Sequence, residues 1–119
     1  MQPDFDLDFR TGTIAEKKLE RILRGTKIEV KYDRMAKTTG NIFFETHYKD
    51  KKSRSSVFTT SAEWFAIVTD LDDAILIFKT KKLREKIVKL YYHGKAIKTV
   101  GGDYDDSKGF LVRIADLFS

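Results

Sequence analysis

The stretch Lys27-Ile28-Glu29-Val30-Lys31-Tyr32-Asp33 alternates with a period of two: Ile28, Val30 and Tyr32 fall on one side, Lys27, Glu29, Lys31 and Asp33 on the other. That period commits the segment to a β-strand, because successive side chains leave a strand on opposite faces. Such a strand needs partner strands and a layer to cover its apolar face, so the rest of the chain has to supply both. The Glu-x-Lys spacing also sets a carboxylate and an ammonium about 6–7 Å apart along one side. This arrangement suits a divalent cation held beside a phosphate, with the lysine neutralising charge. Read alone, the same charges equally suit a solvated strand face.

The flanking segments fill in the architecture. Ala15, Leu19, Ile22 and Leu23 recur at helical spacing ahead of Gly25 and predict a helix over residues 12–24 closed by that glycine. Arg34 to Asn41 reads as a loop ending in the turn Thr-Thr-Gly-Asn. Ile42–Tyr48 alternates again, with Phe43, Glu45 and His47 on one side. An antiparallel pairing of this strand with the first would set Glu29 and Glu45 about 5 Å apart on one face.

Further on, Thr60 or Ser61 predicts the cap of a short helix carrying Trp64, Phe65 and Ile67. Ala74–Phe78 is an apolar run suited to a central strand. Thr80 opens a helix with Leu83, Ile87, Leu90 and Tyr91 inward and Lys82, Lys86 and Lys89 outward, ended by His93-Gly94. Ile97–Val100 and Phe110–Ile114 are two more strands. The expectation is an α/β fold, a mixed central sheet flanked by helices, in one domain over residues 1–119.

Composition narrows the chemistry. The chain has no cysteine, which excludes disulfides, a thiolate zinc site and a thiol nucleophile. It has two histidines, His47 and His93, too few for a histidine-rich centre. Any metal is then a hard, oxygen-ligated one, Mg²⁺ or Mn²⁺. Two carboxylates as close as Glu29 and Glu45 are expected to be would repel unless a cation lay between them. Such a cation activates water and polarises a phosphoryl oxygen, while Lys31 steadies the developing charge. The acidic N-terminus lacks a signal-peptide core and no apolar run nears membrane-spanning length, so the expectation is a cytoplasmic protein without a membrane partner. A net charge of +5 suits a polyanionic partner. Lys49, Lys51, Lys52 and Arg54, in a serine-rich loop, are the candidate phosphate contacts.

Three segments in order carry a family likeness: Gly12-Thr-Ile-Ala-Glu16, Ile28-Glu-Val-Lys31 and Thr39-Gly-Asn-Ile-Phe-Phe-Glu45. With the looser Thr60-Ser-Ala-Glu-Trp-Phe65, the chain resembles the PD-(D/E)XK, or restriction-endonuclease-like, nuclease superfamily, and within it small phage-type members. The resemblance implies a restriction-endonuclease-like sheet and Mg²⁺-dependent phosphodiester hydrolysis on DNA, with Mn²⁺ as substitute and a homodimer possible. It assigns Glu29, Lys31 and Glu45 to catalysis and Glu16, Glu29 and Glu45 to the metal. The chain departs from the pattern in lacking the usual Asp on a strand before Glu-x-Lys. Two registers stay open. Either Glu29-x-Lys31 is the standard motif with its Asp displaced to Asp33 or Glu45, or Glu29 stands for the Asp, Glu45-x-His47 for Glu-x-Lys and Lys31 for a migrated lysine. Some superfamily members have lost catalysis, so a catalytically inactive nucleic-acid-binding protein of the same fold and a protein–protein interaction module are the alternatives.

Overall fold

Six strands form two three-stranded sheets among the residues described by the computed structural model, which are 5–48, 56–70, 74–101 and 107–119. Helix α1 (Phe5–Gly25) leads into β1 (Ile28–Tyr32), a four-residue helix α2 (Ala36–Thr39) and β2 (Asn41–Tyr48). Strands β3 (Trp64–Asp70) and β4 (Ala74–Lys79) precede helix α3 (Thr80–Tyr92), and β5 (Ala96–Gly101) and β6 (Ser107–Arg113) end in a 3₁₀ turn, Ile114–Phe118. The class is α/β, as the segment order predicts, but the single central sheet is divided. One sheet runs β1-β3-β4 and the other β2-β6-β5.

Three expectations are corrected by the strands and their pairing. β1 does not pair with β2; it lies parallel to β3, with Glu29 beside Phe65 and Lys31 beside Ile67. β2 pairs instead with β6 in the other sheet, antiparallel. The segment Trp64–Ile67 is no helix either. It is the first part of β3, the central strand of its sheet, buried on both faces, and a run covered on both sides shows no alternation to tell strand from helix. Its β-branched and aromatic content decides in favour of the strand. The apolar run Ala74–Phe78, expected at a sheet centre, is the edge strand β4, with Ala74 and Ile75 exposed.

Alternation in β1 separates two faces as expected, and tertiary context chooses the inner one. Val30 and Tyr32 are more than half exposed. Glu29 and Lys31 are the half-buried side, aligned with the buried Phe65 and Ile67 of β3. The polar side of β1 therefore looks into the space between the sheets. The core fills the rest of that space: Ile42 and Phe44 of β2, Phe65 and Ile67 of β3, Val112 of β6, and Leu83, Ile87 and Leu90 of α3. The Phe44 and Phe65 rings, 6.4 Å apart, join the two sheets directly.

Helix α1 begins upstream of the predicted 12–24 span. Of its Ile14, Leu19, Ile22 and Leu23, only Ile22 is buried, and Lys18 Nζ stands 5.4 Å from the Trp64 ring centre. Among the described residues no helix is long and apolar enough to cross a membrane.

Candidate functional site

Asp33 determines how the two sheets meet. Immediately after β1, its Oδ1 accepts hydrogen bonds from the backbone N–H of Met35 and of Ala36, both at 3.1 Å. This is the Asx geometry that starts the turn into α2. Its Oδ2 accepts from the N–H of Phe43 at 3.0 Å, a residue of β2 in the other sheet. One carboxylate thus caps α2 and clips the end of β1 to β2. Alanine at position 33 takes the side-chain acceptor from three N–H donors at once, of which the Ala36 N–H keeps the residue-33 carbonyl at 3.3 Å. Charge-assisted bonds of this kind are worth about 1.5–3 kcal/mol each, shared losses reducing the sum. Asp33→Ala is expected to cost about 3 kcal/mol, read as a lower urea midpoint at unchanged m.

The Thr39-Gly40-Asn41 turn completes this corner. Gly40 takes φ of +75° and its N–H bonds the Ala36 carbonyl at 2.8 Å, closing α2; a left-handed residue here favours glycine. The Thr39 hydroxyl donates to the Met35 carbonyl at 2.9 Å and accepts the Asn41 N–H at 3.1 Å. Lys37 braces α2 against β3 through Asp70, 2.6 Å away. Hydrogen bonding and charge attraction from Asp70 hold the Lys37 ammonium above its ordinary pKa.

A cleft of about 570 Å³ opens at this corner, lined among others by Lys31, Asp33, Arg34 and Glu45, with Phe65 and Val100 in its walls. Glu45 reaches it from β2, opposite Gly109 of β6, at a point where the strand register slips between Glu45 and His47. Gly109 is buried and cannot carry a side chain: a Cβ there would meet the Phe44 carbonyl oxygen and lie 2.8 Å from the Glu45 Cα.

The predicted site residues are partly brought together. Lys31 and Glu45, on strands of different sheets, line one cleft. Glu29 shares the inner face of β1 but does not line the cleft; its Oε1 accepts a hydrogen bond from the Thr60 hydroxyl at 2.9 Å. Glu29 and Glu45 are therefore not the cross-strand neighbours that a β1–β2 pairing would have made them. Glu16 sits exposed on α1, away from the cleft lining. Lys49, Lys51, Lys52 and Arg54 fall outside the described residues. Among the described residues no three histidine, aspartate or glutamate side chains gather as a cation cage.

Sequence reasoning misses the supports. Thr60, expected only as a helix cap, holds Glu29 with its hydroxyl, which also accepts the Ala62 N–H at 3.1 Å. Arg84 of α3, marked out by nothing in the sequence, turns inward and bonds the carbonyls of Val57 and Thr60. A local signal existed for Asp33 alone: an aspartate two or three residues ahead of the amides it caps. Arg84 had none, since its partners lie 24 and 27 residues away. Comparison with models of known families, with curated proteins and with solved structures finds no match.

Proposed function

We propose that this protein hydrolyses phosphodiester bonds in DNA with Mg²⁺ at the cleft between its two sheets. The observation that carries the reading is that Lys31 and Glu45 both line one cleft, from strands that do not pair. The ordered Gly-x-x-x-Glu, Glu-x-Lys and Thr-Gly-Asn…Glu segments support it as a resemblance. Magnesium needs no closed protein cage; it is held by one or two carboxylates together with substrate phosphate and water. Glu45 supplies a carboxylate in the cleft, and the oxygen-only donor set fits such a substrate-completed site. When bound, the ion supplies charge neutralisation at the phosphate and an activated water.

The chain's own residues have distinct tasks in this reading. Lys31 presents an ammonium to the scissile phosphate from a half-buried position, where charge is screened less than in bulk water. Arg34, on the cleft wall, contacts an adjoining phosphate. Thr60 fixes the Glu29 carboxylate behind Lys31 on the same strand face. Glu16 joins the site only if α1 moves toward it.

A second reading, DNA binding without hydrolysis, is favoured by one observation: the three carboxylates Glu16, Glu29 and Glu45 are not gathered at one point. Magnesium separates the two. Linear duplex, single-stranded and branched DNA are incubated with Mg²⁺, with Mn²⁺ and with chelator. Hydrolysis predicts cleavage with either ion, none in chelator, and loss in Glu45→Gln. Binding that is indifferent to the ion, with no cleavage of any substrate, selects the second reading.

A further inference from the structure

Between Lys79 and Lys98 the chain carries eight lysines and arginines against the single acid Glu85, more positive charge than the +5 that the entire chain nets. The protein's basicity is thus concentrated on α3 and the start of β5. Part of it is used internally. Arg84 bonds two carbonyls, Lys82 lies 3.8 Å from Glu85, and Lys86 donates to the Ser119 carbonyl. Lys89, Lys95 and Lys98 are exposed and form no ion pair among the described residues.

Lys89 and Lys95 flank the end of an aromatic column along the chain, and Lys98 pairs with one of its inner rings in the β5–β6 ladder. Phe58 packs on Phe110 at 6.0 Å between ring centres, Phe110 on Tyr91 at 5.1 Å, and Tyr91 on Tyr92 at 5.6 Å. Tyr92, the outermost ring, is 79% exposed. Lys89 precedes it by three residues and shares its side of the helix. Gly94, at φ +73°, turns the chain back so that the Lys95 N–H bonds the Leu90 carbonyl at 2.8 Å. Lys98 lies opposite Phe110 in the β5–β6 ladder. From there β5 leads to Thr99, Val100 and Gly101, which line the cleft, the whole strand spanning about 17 Å.

We propose that Tyr92, Lys89, Lys95 and Lys98 form a track for single-stranded DNA, leading along β5 into the cleft. The Tyr92 ring stacks on an unpaired base, and the three ammonium groups meet successive phosphates. The strand is single because a duplex hides its base faces from such a platform. The proposal rests on the DNA reading of the cleft for its direction, but binding along the track does not require hydrolysis.

Fluorescence anisotropy with a labelled thymidine oligonucleotide, in chelator, tests it. Tyr92→Ala is expected to weaken binding by about 5- to 150-fold, the loss of one base stack, and Tyr92→Phe to stay within about twofold. Lys95→Ala with Lys98→Ala should flatten the dependence of log K on log salt by about 0.7 for each phosphate no longer neutralised. Wild-type affinity in Tyr92→Ala, or equal competition by a blunt duplex, overturns the track. Because chelator silences cleavage, Tyr92-dependent binding by a protein that cuts no DNA refutes hydrolysis and leaves the track standing; cleavage without Tyr92-dependent binding does the reverse.

Discussion

Lys31→Met is expected to lower Mg²⁺-dependent DNA cleavage by about 10²–10³-fold, the range seen when one preorganised donor is removed from a developing negative charge. Methionine is the informative replacement because it keeps most of the aliphatic stem. Lys31 is half-buried beside Ile67, so part of its contribution to the fold is packing rather than charge. An unchanged urea midpoint with a reduced rate assigns the effect to the ammonium. The division between kcat and KM then states its role. A fall in kcat at constant KM means that the ammonium acts on charge present only in the transition state, whereas a rise in KM alone means that it holds the ground-state phosphate. Cleavage at the wild-type rate would remove Lys31 from the site.

The largest stability effect is expected at a residue with no side chain. Gly109→Ala places a methyl group against the Phe44 carbonyl and 2.8 Å from the Glu45 Cα. Both obstacles are backbone of the paired strand, so no side-chain rotation relieves them, and β2 must move away from β6. The expected loss is at least about 3 kcal/mol, a large part of a typical stability of roughly 5–15 kcal/mol. It appears as a urea midpoint lower by roughly 1–2 M. Gly12→Ala is the control. A Cβ at Gly12, inside α1, meets nothing within 4 Å, and alanine is the better helix former by about 1 kcal/mol. The same substitution should therefore stabilise slightly at one glycine and disrupt at the other.

The sequence made local structure legible where one face of an element is wet. β1, β2, α3, β5 and β6 all follow from alternation or helical spacing, and Gly94 ends α3 where a glycine was expected. Trp64–Asp70 misled because burial on both faces erases the period. Pairing was less legible still. β1 and β2 are consecutive strands that look like a hairpin, yet the two join through Asp33 and Phe43 rather than through a ladder. For the site, Lys31 and Glu45 could be picked out by residue type and spacing. That both line one cleft follows from a corner built by Asp33, Thr39 and Gly40, whose bond from Asp33 to the Phe43 N–H crosses between sheets.

Both strands that bring Lys31 and Glu45 to the cleft are sheet edges, and each is paired only to a strand far away in the chain. β3–β4 and β5–β6 pair with their immediate neighbours in sequence, whereas Ile28 waits for Trp64 and Asn41 for Arg113. Closing such long loops carries an entropic cost before any pairing repays it, so local pairs form early and remote ones late. The order of folding that follows starts with two hairpins and α3, and then adds β2 and β1 at the margins. The cleft is assembled last and, by the same token, opens first: amide exchange in β1 and β2 should outpace that in β3 and β6, so the proposed site lies on the least persistent part of the molecule.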